Sequence, residues 1–215
     1  MIKLENITKV YYSNSKLVVL EDVNMTFDKS KIYTIYGNSG TGKTTLLNIV
    51  GLIDKPTNGL VYICNNKIKN YKIASQVRLR TFGYVFQDHY LFPEFTVIEN
   101  LMLPLIISGN NDISIALNLL DKFDLAYLKD SYPSSISYGE AQRVAVLRSV
   151  INKPKVIIAD EPTSSLDNES ANYIVDLFSE LKEEGYAVII ATHDKRFVKK
   201  SDNSFKLCNN KLMEI

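Results

Sequence analysis

Two cysteines, Cys64 and Cys208, stand in 215 residues. They are too few and too scattered for a disulfide framework or a metal knuckle, so both read as packing residues in a reduced, cytoplasmic setting. Long apolar runs are equally scarce. The longest, at 101–107 and 187–191, fall far short of the roughly 20 residues a membrane-spanning helix needs. The start, Met1-Ile2-Lys3-Leu4-Glu5, does not resemble a secretory signal, so no direct insertion into a membrane is expected. Excess charge is missing too: a formal net charge of +1 gives no electrostatic argument for nucleic acid or an anionic membrane as partner. Low-complexity segments, linkers and internal repeats do not occur, which points to one globular unit with room for one inserted lobe. Core-forming material is abundant by contrast. With 46% hydrophobic against 23% charged residues, the balance is that of an ordinary globular domain.

The chemistry concentrates in one stretch. An apolar, β-prone run over Ile32–Tyr36 leads into Gly37, Asn38, Ser39, Gly40, Thr41, Gly42, Lys43, Thr44 and Thr45, and residues 46–50 read as a helix. Gly37-x-x-x-x-Gly42-Lys43-Thr44 fits the phosphate-binding P-loop. Its glycines let the backbone curl until successive N–H groups point at one anion, and the following helix adds the positive end of its dipole. Lys43 supplies a point charge for β- and γ-phosphates, and Thr44 a hydroxyl for Mg²⁺.

Around this stretch the periodicities predict several elements. The first thirty residues alternate as antiparallel strands do, with Ser13-Asn14-Ser15 as the turn, and residues 59–68 repeat the pattern with Asn65-Asn66 as a tight turn. Ile113, Ala116, Leu117, Leu120 and Phe123 share one face of a helix inside a helical stretch over 88–150. The β/α alternation then resumes: a buried strand at 156–159, a helix over 168–184 stopped by Gly185, a second buried strand at 186–192, and a hairpin around Asn209-Asn210.

Asp160 and Glu161 follow the first of those strands, at the edge where open α/β sheets bind ligands. Beside a phosphate site an aspartate there holds Mg²⁺, and a neighbouring glutamate deprotonates the attacking water. His193 follows the second strand and faces the same edge, where its imidazole can bond a γ-phosphate or a water. His89 has no such company. Gln87 follows a β run at 82–86, and Ser137 with Glu140 makes a capping box that opens a helix. An ordinary surface amide and an ordinary helix start account for these last residues when each is taken alone.

Taken together and in order, the pieces resemble the nucleotide-binding subunits of ATP-binding-cassette (ABC) transporters over nearly the whole chain. Residues 37–45 resemble Walker A, Gln87 the Q-loop glutamine, and Ile136-Ser137-Tyr138-Gly139-Glu140 the Leu-Ser-Gly-Gly-Gln signature. Residues 156–161 resemble Walker B with its glutamate, Ser165-Leu166-Asp167 the D-loop, and His193 the switch histidine. Thr8-Lys9-Val10-Tyr11 resembles the entry segment whose aromatic stacks on adenine, which points to Tyr11 rather than Tyr12. Residues 46–59 and 84–87 are similar to the branch serving lipoprotein release, macrolide or peptide export and antimicrobial-peptide resistance, and the asparagine-rich hairpins resemble small bacteriocin-export ATPases.

The resemblance implies an α/β P-loop NTPase: a RecA-like core with an antiparallel β subdomain (1–87 and 151–215) and an inserted helical subdomain (88–150). It implies ATP hydrolysis with Glu161 and His193 as catalytic residues and Mg²⁺ held by Thr44, Gln87 and Asp160. It also implies a head-to-tail dimer, with itself or with a second ATPase subunit, in which Ser137, Gly139 and Glu140 meet nucleotide in trans. A separate membrane permease would carry an exported peptide, lipid-linked or antimicrobial substrate, and the chain would lie at the cytoplasmic face of the cell membrane through it.

Tyr138 departs from the signature glycine, and Ala141 from a frequent glutamine. Either position 138 keeps an ordinary backbone angle or the loop is altered. An altered loop would favour an ATP-gated regulatory subunit with low turnover. A nucleotide kinase or GTPase conflicts with the signature and His193, and no Asn-Lys-x-Asp guanine-reading motif occurs.

Overall fold

The computed structural model describes residues 1–12, 16–68, 71 and 74–215. The proposed turn at Ser13-Asn14-Ser15 lies outside them. The chain opens with β1 (Ile2–Tyr12), β2 (Lys16–Phe27), β3 (Ile32–Tyr36), α1 (Lys43–Val50), β4 (Asn58–Ile63) and β5 (Asn66–Lys67). It continues through α2 (Ala74–Thr81), β6 (Phe82–Val85), α3 (Val97–Ile107), α4 (Ile113–Lys122) and α5 (Tyr138–Val150). It closes with β7 (Val156–Asp160), α6 (Asn168–Glu183), β8 (Ala187–Thr192), α7 (Lys195–Lys200), β9 (Asn203–Cys208) and β10 (Lys211–Glu214).

Two sheets result. A four-stranded antiparallel sheet runs β2-β1-β4-β5, and a six-stranded sheet runs β10-β9-β3-β8-β7-β6, parallel except for β10. All six residues of β8 are buried, as befits a strand covered on both faces. Alternation decides which face each residue joins. Ile157, Ala159, Val188 and Ile190 pack with α3, α4, α5 and α6, whereas Val156, Ile158, Ala187, Ile189 and Ala191 pack with α1 and the antiparallel sheet. The core of the helical segment is therefore continuous with one face of the main sheet. Among the described residues no helix is long and apolar enough to cross a membrane.

Local expectations fare unevenly. The C-terminal hairpin turns at Asn209-Asn210 as expected, with φ of 49° and 64°. The earlier hairpin turns one residue sooner, at Cys64-Asn65 with φ of 49° and 65°, because Ile63 is buried and must pair with Asn66. Cys64 is thus an exposed turn residue and not a packing one. On α4 only Ala116 and Leu120 are buried, with Phe123 just beyond; Ile113 and Leu117 are 51% and 38% exposed. The buried stripe is narrower than the apolar one.

The layers meet most closely where β6 crosses α5. A Cβ on Gly83 would stand 2.0 Å from the Ser149 carbonyl oxygen, a backbone atom that cannot turn aside. Gly83→Ala is expected to cost about 3 kcal/mol by forcing strand and helix apart. Urea denaturation measures it, and an unchanged midpoint would contradict this packing.

Candidate functional site

β3, β8 and β7 are neighbours and run parallel, so the segments leaving their C-terminal ends must converge. Those segments are Gly37 onward, His193, and Glu161 after Asp160. The loop after β3 is tied to the tip of β8 by the Gly37 amide, which donates to the Thr192 carbonyl at 3.4 Å. Gly42 stands at the N-cap of α1 with φ 101° and no side-chain cap. The first-turn N–H groups of α1 are therefore left for an anion. Only glycine fits there, since a Cβ would meet Val19 Cγ1 of β2 at 2.7 Å.

Lys43 is 5% exposed, and a buried ammonium needs partners. Its Nζ donates to the carbonyls of Gly37 (2.8 Å) and Asn38 (3.0 Å) and pairs with Glu161 Oε1 at 3.1 Å. Around it Gly37 is buried and Asn38, Ser39 and Gly40 are exposed. Thr41 Oγ1 pins the loop by donating to the Asn38 carbonyl.

Glu161 adopts φ 47°, and its amide donates to the Ala191 carbonyl at 2.8 Å. Its Oε2 accepts from Thr192 Oγ1 (3.1 Å), the His193 amide (3.2 Å) and His193 Nδ1 (2.9 Å). Burial pushes this carboxyl up, but Lys43 and then His193 outweigh burial and hold it below its ordinary value. With Nδ1 engaged, Nε2 of His193 is the ring atom left to meet a ligand. His193 is set by its neighbour: Asp194 caps α7, accepts from Thr163 Oγ1 at 2.9 Å and pairs with Arg196. Thr163, Thr192 and Asp194 were not legible as site residues. The one signal was their position beside the Glu161 and His193 tips.

Asp160 behaves in the opposite sense. Its Oδ2 accepts from Thr44 Oγ1 at 2.6 Å, while Oδ1 is buried without a partner. Burial, aided by the Glu161 charge, pushes its carboxyl up. An orphaned carboxylate oxygen beside a hydroxyl fits a hard divalent cation, Mg²⁺ above all, whose other ligands come from phosphate and water. No group of three or more acidic, histidine or cysteine side chains could form a protein-only metal cage among the described residues. A cavity of about 140 Å³ lined by Thr44, Asn48, Phe86 and Asp160 adjoins this pair; Gln87, next in sequence to Phe86, is exposed and does not line it.

The remaining residues lie on the helical segment and on β1. Ser137 caps α5: its Oγ accepts from the Glu140 amide and donates to Glu140 Oε2, whose carboxylate also accepts from the Ser137 amide. Glu140 Oε1 accepts from the Tyr127 hydroxyl at 2.6 Å, and that bond, followed by those of Ser137, keeps the carboxyl low. Tyr138 is the first helical residue of α5 and is not among the residues with positive φ. The first of the two alternatives for that position therefore holds. Gly139 packs against Ser170 of α6, whose N-cap is Asp167. None of the hydrogen bonds among the described residues joins 137–140 to the phosphate loop. Tyr11, 42% exposed, donates to Asp54 Oδ2 at 3.1 Å under the Lys9 ammonium. That contact holds its hydroxyl beyond the C-terminal end of α1 and away from the loop at the other end.

The chain as a whole is similar to known proteins. A dimeric ATP-binding cassette solved in a post-hydrolysis state with ADP and Pi is 34% identical and superposes with a TM-score of 0.90, covering 100% of this chain and 98% of that one. The lipoprotein-releasing system ATP-binding protein LolD of Rickettsia bellii is 42% identical over 212 residues, which is 96% of this chain and 95% of the relative. The LolD protein of Treponema denticola is 38% identical over 100% of this chain and 98% of its own. The ABC transporter family matches residues 20–164. By fold, by the P-loop NTPase core and by these matches, the chain belongs to the ABC transporter family and is one of its ATP-hydrolysing subunits.

Proposed function

We propose that this ATPase drives a separate membrane permease that releases or exports a lipid-linked or peptide cargo. The cargo class rests on the relatives, which are named as lipoprotein-releasing proteins. The hydrolytic roles rest on one observation: Lys43, Glu161 and His193 form an unbroken chain of contacts at 3.1 and 2.9 Å across adjacent strand tips.

In the reaction, ATP and water give ADP and phosphate. The N–H groups of the loop and Lys43 hold the β- and γ-phosphates. Thr44, Asp160 and Gln87 would hold Mg²⁺, which when bound would supply neutralisation of the phosphate charge. Lys43 cannot serve Glu161 and the phosphates equally. When ATP draws the ammonium away, Glu161 loses a cation that was lowering its basicity and becomes a better proton acceptor for the attacking water. His193 keeps that carboxylate oriented through Nδ1 and offers Nε2 to the γ-phosphate. Ser137, Gly139 and Glu140 of a second subunit complete the site, with the N-terminus of α5 facing the phosphate. Tyr11 is the proposed platform for adenine, once it gives up Asp54. A regulatory subunit with low turnover has only the Tyr138 substitution in its favour, and that residue leaves the helix start intact.

The permease is proposed to seat a helix in an apolar groove of about 670 Å³ between α2 and α3, lined by Leu79, Phe86, Tyr90, Phe92, Leu103 and Ile107. The groove adjoins Gln87, so a partner bound there touches the loop that reaches toward the Mg²⁺ position. Phe92 and Ile107 are 52% and 69% exposed, an apolar cost that a partner would remove.

Three outcomes are expected. Glu161→Gln should bind ATP, lose turnover and accumulate an ATP-bound dimer; wild-type steady-state hydrolysis would sink this assignment of the base. Lys43→Ala should weaken ATP binding about 10- to 100-fold, since a charge-assisted bond is worth about 1.5–3 kcal/mol, as titration with a fluorescent ATP analogue would reveal. Ile107→Glu should leave hydrolysis by the isolated subunit intact and abolish co-purification with the permease; retained co-purification would remove the groove from the account.

A further inference from the structure

Tyr138 brings to the start of α5 something a glycine cannot, an atom that reaches another segment. Its hydroxyl lies 3.4 Å from the Gln87 carbonyl and 3.3 Å from Asp88 Oδ1, within reach of either acceptor. Its ring stands against that of His89, with centroids 5.3 Å apart and planes at 57°. The same helix grips the loop further along. Gln142, fully buried, donates through Nε2 to the Phe86 carbonyl at 3.3 Å, and Arg148 donates to the carbonyls of His89 (2.8 Å) and Tyr90 (2.7 Å). Gln142 and Arg148 hold the loop from the middle and end of α5. Tyr138 adds an attachment at the first helical residue, directly between Ser137 and Gly139.

We propose that Tyr138 is a positioning residue: its phenol ties the N-terminus of α5 to the Gln87–Asp88 segment of the same chain, so that the loop's position sets how Ser137 and Gly139 are presented to a second subunit's nucleotide. The inference rests on the reading of 137–140 as the trans half of the site. The attachments at Gln142 and Arg148 leave the first turn of α5, which precedes both, free to shift against the loop. An attachment at the tip removes that freedom and makes loop and helix start move together. The bond is formed within one chain, so ATP binding to the monomer does not depend on it.

Tyr138→Phe keeps the ring on His89 and deletes only the O–H. It is expected to lower kcat about 3- to 10-fold, the loss of one ordinary hydrogen bond, with the ATP dissociation constant of the dilute subunit unchanged and the melting temperature lowered by no more than a few degrees. Asp88→Ala should also lower kcat, and the double variant should fall less than the product of the two single effects. Unaltered kcat in Tyr138→Phe, weakened ATP binding by the dilute subunit, or strictly multiplicative single effects would overturn the proposal. A control separates it from the reading beneath it. If Glu161→Gln forms no ATP-driven dimer, the trans site fails and the tie with it. If that dimer forms and Tyr138→Phe hydrolyses ATP at the wild-type rate, the tie alone fails.

Discussion

A buried ammonium that must be shared holds this structure's logic together. Lys43 has too little exposure to be satisfied by water, so it takes two carbonyls of its own loop and the Glu161 carboxylate. Leaving any of these polar groups unmade would cost more than the bond is worth. The arrangement is possible only because β8 lies between β3 and β7, which sets three strand tips side by side. The apolar runs 156–159 of β7 and 187–191 of β8 serve that order, since both faces of those strands must be covered. In the proposed reaction, phosphate takes over the ammonium from Glu161 at a loop that is already curled.

The two carboxylates at the end of β7 divide their labour through environment. Asp160 has a buried oxygen without a partner and a carboxyl pushed up by burial, which accords with the proposed role of cation ligand. Glu161 is surrounded by donors and held low, and the proposed role of base requires ATP to draw Lys43 away from it. One residue's difference in position along the chain produces this, because the backbone turns at Glu161 with φ 47° and sends the side chains to different neighbours.

Much of this was legible in the residues themselves. Apolar runs marked β3, β7 and β8, and glycine spacing marked the loop, because buried strands and phosphate cradles constrain composition strongly. What escaped notice was set by tertiary contact. The hairpin turned at Cys64-Asn65 because burial of Ile63 fixed the register, and two adjacent asparagines offered no local reason to choose. The apolar residues of α2, Ala74, Val77 and Leu79, stand among five polar ones at no sustained helical spacing, with only Ala74 and Thr81 buried, so no periodicity announced it. Ile113 and Leu117 looked like core and are exposed, since apolar character does not say whether a neighbour exists. Thr192 and Asp194 gained their roles from Glu161 and Arg196, partners distant in the chain or invisible to spacing. The Tyr138 substitution could be seen, but its direction could not: the side chain folds onto its own loop.

The most direct test of the account concerns the half of the site that one chain does not supply to itself. The steady-state ATPase rate per subunit should be measured with Mg²⁺ and saturating ATP while the concentration of the chain is varied from the nanomolar to the high micromolar range. A site completed by a second subunit predicts a per-subunit rate that rises with concentration and levels off as dimers fill. A per-subunit rate that stays constant down to the lowest concentration, with the chain monomeric throughout, would contradict it.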